Sequence, residues 1–288
     1  METIKTYGLT LSQFIDLALK EDLGNGDQTT LATIPGDLEG AAIMKAKEDG
    51  VICGLVVADQ VFNRVDPKLI VKTLVAEGAT IKNGDSILEV SGPVASILKA
   101  ERLVLNCMQR MSGIATKTSL LVKKIEGTGA RLLDTRKTTP LFRAFEKWAV
   151  QAGGGVNHRF GLYDMILIKD NHVDACGGIG PAIRAARKYL DDTGHKLKIE
   201  IETRNIAEVR QAMEAGGADR IMLDNFSVEQ LREAVALIDK RFETEASGNI
   251  DEHTIREVAL TGVDFISVGA LTHSFKSLDI SLKIITRK

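Results

Sequence analysis

The chain has 288 residues, 44% of them hydrophobic and 26% charged, with a formal net charge of -2. That length supports one large α/β barrel or two domains, and the composition is that of an ordinary globular protein. The near-neutral balance excludes a general electrostatic drive toward nucleic acid or a membrane surface. The opening METIKTYGLTLSQFIDLAL lacks the long apolar run of a signal peptide or a membrane span.

In chain order, residues 11–19 carry apolar side chains at Phe14, Ile15, Leu17, Ala18 and Leu19 behind a cap at Thr10 or Ser12. They predict a short helix that stops in the glycine-rich, acidic turn at 21–27. Between Gly40 and Gly92 the runs AAIMKAK, GVICGLVVA, LIVKTLVAEG and SILEVSG alternate with turn residues. They predict a small, mostly β module with helices against it. From Val94 to about Glu126 the spacing of Ile97, Leu98, Leu103, Val104, Leu105, Met108 and Met111 predicts a helix, interrupted near Ser112-Gly113. Glu101 and Arg102, as an isolated pair on it, read as solvated surface charges. Cys53, Cys107 and Cys176 are odd in number and lack metal-type spacing, so they read as reduced thiols of a cytoplasmic protein.

The second half repeats one unit. Apolar runs at 131–134, 165–169, 197–202, 220–224, 242–246 and 265–269 are separated, in the later units, by helix-like segments such as 206–215 and 228–240. Such a series predicts a parallel α/β barrel or a doubly wound sheet. The barrel is favoured because the runs end in Arg136-Lys137, Lys169, Glu202, Asp224, Ser247-Gly248-Asn249 and Gly269, groups that one barrel mouth would gather. The stretch 132–172 also concentrates Arg136, Lys137, Arg143, Lys147, His158, Arg159 and Lys169 on a mildly acidic background, which points to a small anionic ligand.

Glu202 and Asp224, at the ends of neighbouring strands, suit Mg2+ held jointly with substrate oxygens. The loops 245–249 and 267–271 put small residues before helices, where main-chain N–H groups and the helix dipole can receive a phosphate. Taken singly, each feature has a bland account: Lys169 snorkels, Glu202 and Asp224 cap helices, 153–155 is a turn, and His158 is a hydrogen-bonded structural histidine. Their joint placement at successive strand ends favours a site.

The segments LDTRKTTP (133–140), GGGVNHRFGLYDMILIKDNH (153–172), the IEIE run ending at Glu202, IMLDN (221–225), EASGN (245–249) and TGVDFISVGALTHS (261–274) together resemble the quinolinate phosphoribosyltransferase family. EDLGNGD near the start and ERLVLN around Arg102 extend the likeness over nearly the whole chain. The resemblance implies an α/β sandwich-like N-terminal domain over 1–112, an incomplete α/β barrel over 113–275, and a segment 276–288 that packs back on the first domain. It implies transfer of phosphoribosyl from 5-phosphoribosyl 1-diphosphate to quinolinate with decarboxylation, with Mg2+ as cofactor, in a homodimer with shared active sites and higher assembly left open.

By the same resemblance, Arg136, His158, Arg159 and Lys169 bind the quinolinate carboxylates, and Arg102 reaches in from a second subunit, which reverses its surface reading. Lys137 lies by the diphosphate sugar, Glu202 and Asp224 handle Mg2+ and ribose hydroxyls, and Lys137, Lys169, Glu202 and Asp224 form the catalytic set. Ser247, Gly248, Asn249, Gly269 and Ala270 receive the 5-phosphate. One departure is visible: the family commonly has glycine directly after KTTP, and this chain has Leu141. Three other readings stay open at this point: a related transferase acting on another anionic ring, a Schiff-base aldolase using Lys169, and a metabolite-binding protein without turnover.

Overall fold

The structure is a computed structural model that describes residues 9–285; residues 1–8 of the expected first domain and 286–288 of the expected C-terminal segment lie outside the described residues. The elements begin with α1 (Leu11–Leu23), α2 (Gln28–Thr33), β1 (Glu39–Ala46), β2 (Gly50–Val51), α3 (Leu55–Val65), β3 (Ile70–Thr73), β4 (Thr80–Ile81), β5 (Ser86–Pro93) and α4 (Val94–Ile125). There follow β6 (Arg131–Leu133), α5 (Arg143–Ala152), β7 (Ile166–Ile168), α6 (Asp170–Cys176), α7 (Ile179–Thr193), β8 (Ile199–Thr203), α8 (Ile206–Ala215), β9 (Arg220–Asp224), α9 (Val228–Ile238), β10 (Glu243–Ser247), α10 (Ile255–Ala259), β11 (Phe265–Ser267), α11 (Ala270–His273) and β12 (Ile280–Ile285). They form two compact units. One takes the described residues before Leu120, Thr139–Gly154 and the described residues from Phe275 onward; the other takes Leu120–Thr138 and Gly155–Ser274.

The first unit is built on an antiparallel sheet in the order β12-β1-β5-β3, with a separate β2-β4 pair. Alternation decides its buried face: Ala42, Met44 and Ala46 of β1 are all buried, as the two-residue period of a strand requires. Helix α1 begins with a reciprocal capping box between Thr10 and Gln13 and ends at Leu23, within the turn expected at 21–27, where Gly24 closes it with a positive φ of 49°.

Two local expectations are corrected. The run GVICGLVVA is strand only at Gly50–Val51, and from Leu55 it is helix α3. The cause is remote in sequence. Both oxygens of the Glu77 carboxylate accept the first main-chain N–H groups of that helix, from Gly54 at 2.6 Å and Leu55 at 2.9 Å, a cap that local apolarity does not announce. Leu55, Val57, Ala58, Val61 and Phe62 then bury one helical face. The break expected at Ser112-Gly113 is absent, and α4 is continuous. Gly113 is there for packing: a Cβ on it would lie 2.2 Å from the Lys276 carbonyl oxygen. A glycine lets the C-terminal segment cross the helix at that point, and Leu278 then donates its N–H to the Gln109 carbonyl at 2.9 Å.

The second unit is a six-stranded sheet in the order β6-β11-β10-β9-β8-β7, with every pairing parallel. Strands β7 to β11 lie side by side in chain order, and β6 returns to pair with β11. Among the described residues β6 and β7 do not pair with each other, so the α/β barrel is incomplete. Val156 occupies part of the opening through a parallel bridge to Leu133. One face of the strands buries Ile199, Ile201, Ile221, Leu223, Ala246 and Ile266. The alternate positions carry Glu200 and Glu202, Arg220, Met222 and Asp224, Glu243, Glu245 and Ser247, and Phe265 and Ser267.

Leu141, the residue that follows KTTP, has a φ of 64° and is 74% exposed. Left-handed backbone costs a side-chain-bearing residue about 1–2 kcal/mol, and an exposed leucine recovers little of it by burial. Glycine relieves that strain at an entropic cost of roughly 0.5–1 kcal/mol. Leu141→Gly should therefore raise unfolding stability by up to about 1 kcal/mol. Urea denaturation of the two proteins checks this, and a clear loss would show that the leucine makes a stabilising contact.

Candidate active site

The floor of the incomplete barrel is ionic. Register sets Glu200 opposite Arg220, Arg220 opposite Glu243, and Glu245 opposite Phe265, and paired residues of adjacent strands share a face. Arg220 holds Glu245 at 2.9 Å and Glu243 at 3.2 Å, with its guanidinium carbon 3.9 Å from the Phe265 ring centre. The His158 imidazole comes down onto this layer: Nε2 is 2.9 Å from a Glu200 oxygen and 3.5 Å from a Glu245 oxygen, and the His158 side chain is 6% exposed. Burial disfavours the charged ring and the contacts with Glu200 and Glu245 raise its pKa, while the Arg159 N–H donated to Nδ1 favours the neutral ring. Burial, then the Glu245 charge, pushes Glu200 up. Glu245, although buried, is held below the usual carboxylate range chiefly by His158.

This trio is the one group among the described residues with the composition of a metal cluster, and its hydrogen bonding argues against a metal. Nδ1 of His158 accepts the Arg159 main-chain N–H at 2.7 Å. The proton of a neutral ring therefore sits on Nε2, leaving no lone pair there for an ion. Arg220 already supplies the countercharge.

Above the floor, the loop 156–165 is held by side-chain acceptors. Val156 exchanges main-chain hydrogen bonds with Leu132 and Asp134. His158 N–H donates to Asp134 Oδ1 at 2.9 Å, and Phe160 and Gly161 N–H donate to the two Asp164 oxygens at 2.6 and 2.8 Å. Arg159 is thereby fixed between bound neighbours, and its guanidinium donates to the Met165 carbonyl at 3.2 Å. Burial, then the charge of Arg136, lowers the pKa of Arg159, so two guanidinium groups act on one space. Nε of Arg136 is buried without a hydrogen-bond partner. An unmet donor of this kind costs about 1–3 kcal/mol, and a bound anion would remove that cost.

The strand ends form the mouth. Lys169 is exposed, with Nζ 3.4 Å from the buried Glu202 carboxylate. Asp224 accepts from the Asn225 amide at 2.7 Å, and the Asn225 oxygen accepts from Asn249 at 3.1 Å. These bonds tie the β9 end to the Ser247-Gly248-Asn249 loop, where Gly248 has φ 98° and Asn249 φ 51°. On the next strand, Gly269 lies against Lys137: a Cβ there would meet Lys137 Cδ at 3.0 Å. Thr272 Oγ1 donates to the Lys137 carbonyl at 2.9 Å.

Arg136, Lys137, His158, Arg159, Lys169, Glu202, Asp224, Ser247, Gly248, Asn249, Gly269 and Ala270 thus all belong to the second unit. Arg102 is exposed on α4 in the first. The helices expected to supply a dipole at these loops, α10 and α11, have only 5 and 4 residues. What these loops offer an anion is main-chain N–H groups more than a macrodipole. Sequence reasoning missed Glu200, Arg220, Glu245, Asp134 and Asn225. The signal for the first three was present as charge alternating with aliphatics inside IEIE, RIMLD and ETEAS.

Comparison with known proteins follows from these motifs. The model of the quinolinate phosphoribosyl transferase C-terminal domain matches residues 114–283, and that of the N-terminal domain matches residues 27–112. The chain is 48% identical over 291 residues to a tobacco (Nicotiana tabacum) protein named quinolinate phosphoribosyltransferase [decarboxylating] 2a, mitochondrial, covering 96% of this chain and 82% of the relative. It is 42% identical over 276 residues to a Bacillus subtilis protein named probable nicotinate-nucleotide pyrophosphorylase [carboxylating], covering 96% and 94%. Among solved structures, nicotinate-nucleotide pyrophosphorylase from Francisella tularensis superposes with a TM-score of 0.89 at 41% identity, covering 96% of each chain.

The Gly248 loop carries its own test. A Cβ at Gly248 would lie 2.2 Å from the Asn225 side-chain oxygen, on backbone that already has a positive φ. Gly248→Ala should cost about 1–3 kcal/mol of stability and displace the Asn225–Asn249 link. Urea unfolding together with a crystal structure of the variant would check both effects.

Proposed function

The chain belongs to the quinolinate phosphoribosyltransferase family, and from that membership we propose how its own residues carry the reaction. The enzyme transfers the phosphoribosyl group of 5-phosphoribosyl 1-diphosphate to quinolinate with loss of carbon dioxide, yielding nicotinate mononucleotide and diphosphate for NAD biosynthesis. The observation that carries the assignment of residues is the demand for an anion between Arg136 and Arg159. One guanidinium has a buried donor without a partner, and the other is depressed by burial and by its cationic neighbour. A ring bearing two carboxylates answers that demand through charge-assisted, bidentate contacts.

In this reading Arg136, Arg159 and Lys169 clamp the quinolinate carboxylates, with His158 beneath them. Clamping aligns the pyridine nitrogen with C1 of the sugar, and alignment is the larger part of what such a site contributes. The loops at Ser247-Gly248-Asn249 and Gly269-Ala270 take the 5-phosphate through main-chain N–H groups, and Lys137, lying along Gly269, faces the diphosphate. As the bond from C1 to diphosphate breaks, its electron pair leaves with diphosphate, and Lys137 stabilises the growing negative charge. The ring nitrogen then bonds to C1. Once quaternary, its positive charge stabilises the carbanion left at C2 when carbon dioxide departs, and a proton completes C2.

Glu202 and Asp224 are the groups that would hold Mg2+. Both are carboxylates at neighbouring strand ends, the hard-oxygen chemistry this ion takes when it shares its shell with phosphates and water. When bound, it supplies countercharge to the diphosphate oxygens. A homodimer in which Arg102 completes the site of the other subunit is part of the same proposal, supported by the exposure of Arg102 on α4. So is a cytoplasmic location, supported by three free cysteines. Among the described residues no helix is long and apolar enough to cross a membrane. Lys169 is a poor Schiff-base nucleophile here: its side chain is 50% exposed and faces Glu202, the opposite of a desolvated amine.

Purified protein with 5-phosphoribosyl 1-diphosphate and Mg2+ should form mononucleotide and carbon dioxide together with quinolinate, and neither with nicotinate. Arg159→Ala should lower kcat/KM for quinolinate by about 2–3 kcal/mol, roughly 30- to 150-fold. Near-parental kinetics in that variant would remove Arg159 from the clamp.

A further inference from the structure

We propose that Glu200 is a positioning residue for quinolinate: through the His158 imidazole, and with Glu245 beside it, Glu200 sets the main chain at Arg159 and so the guanidinium that clamps the ring acid. The inference rests on the clamp role given to Arg159 above and adds a residue buried beneath the substrate pocket. Its basis is a continuous chain of contacts. Glu200 is fully buried on β8, 2.9 Å from His158 Nε2, with Glu245 at 3.5 Å on the other side. The opposite ring nitrogen, Nδ1, takes the Arg159 main-chain N–H at 2.7 Å. One imidazole therefore joins the sheet floor to the backbone of the next residue, and neither ring nitrogen is turned toward the mouth.

The second anchor has a different origin. The His158 N–H is bound by Asp134 at the end of β6, so residues 158 and 159 are fixed from two strands at once. Without the Glu200 carboxylate 2.9 Å from Nε2, the ring can turn, the Arg159 N–H loses its acceptor, and the guanidinium loses its fixed origin. The phosphate loops are built on β10 and β11 and on the Asp224-Asn225-Asn249 bonds. Their link to His158 is the Glu245 contact at 3.5 Å, the longer of its two carboxylate contacts, so a change at Glu200 should fall chiefly on quinolinate.

The role is therefore substrate-selective, where a residue serving stability alone would not be. Glu200→Met keeps the length of the side chain and removes the acceptor, whereas Glu200→Gln keeps an acceptor oxygen. Kinetics of the full-length enzyme, with Mg2+ and both substrates varied, should show Glu200→Met raising KM for quinolinate at least tenfold and KM for 5-phosphoribosyl 1-diphosphate less than twofold. Glu200→Gln should recover most of the difference. Because Glu200 acts through Arg159, Glu200→Met should change quinolinate KM less than twofold in an Arg159→Ala background, the non-additivity expected of coupled residues.

Should Glu200→Met not fold, His158→Asn, too short to reach the floor, takes its place in the same cycle. Additive effects, or parallel changes in KM for both substrates, would overturn the inference while leaving the functional reading intact. A parent enzyme that fails to turn over quinolinate would overturn that reading and the inference with it.

Discussion

The arrangement on which the second unit depends is the buried set of charges on the inner face of its sheet. Most barrel interiors are filled with branched aliphatics. Here Arg220 ties Glu243 and Glu245 together over Phe265, and His158 closes on Glu200 and Glu245. Burial of such groups carries a desolvation penalty that mutual pairing only partly offsets, so the network is weak evidence for stability as such. What it supplies is geometry. Removing one partner from a buried ionic set strands the other and costs about 3–5 kcal/mol, so each member strongly determines the orientation of the rest. A fixed layer of this kind can carry a precise mouth on strands of only 3 to 5 residues.

The two halves of the mouth draw on that layer differently. The half we assign to the ring acid hangs from the floor through a side chain, because His158 links Glu200 to the Arg159 main chain, and Asp134 and Asp164 satisfy the neighbouring N–H groups. The half we assign to phosphate is held by backbone conformation, with positive φ at Asn225, Gly248 and Asn249 and a bond between the two asparagine side chains. On that assignment a chemically specific ligand would meet ionisable side chains and a generic phosphate main chain, which matches the information each must read.

Much of this was legible in the sequence, and the reason is periodicity. Apolar runs ending in charge predicted a succession of parallel βα units with their carboxyl ends on one side, whereas the incompleteness of the barrel was implied only by the family resemblance. What escaped was nonlocal. Helix α3 was read as strand because its N-terminal cap is Glu77, a residue 22 positions away from Leu55. The glycine at 113 was read as a break because nothing near it reveals that Lys276 passes overhead. Glu200 was passed over in favour of Glu202, although the two alternate on the same strand face. A charged residue within a strand looks like an error of burial until its partners on β9 and β10 are in view.

Leu141 and Lys169 point to a further constraint, on the free enzyme. A cationic mouth without substrate must not collapse on itself or on the nearest carboxylates so firmly that entry is blocked. Lys169 meets this by pairing with Glu202 at 3.4 Å while half of its side chain stays in solvent. That contact is weak by geometry and screened by water, so its loss on substrate entry costs on the order of 1 kcal/mol or less. Arg136 takes the opposite course, keeping a buried donor without a partner. The free site is thereby held above its lowest attainable energy at the position the proposed clamp gives to a carboxylate. Leu141, strained at a positive φ on the exposed loop after Lys137-Thr138-Thr139-Pro140, stores energy of a similar size with no buried contact to offset it. The difference is one of location: the unmet donor of Arg136 can be repaid by a ligand, and the strain at Leu141 only by a change of residue.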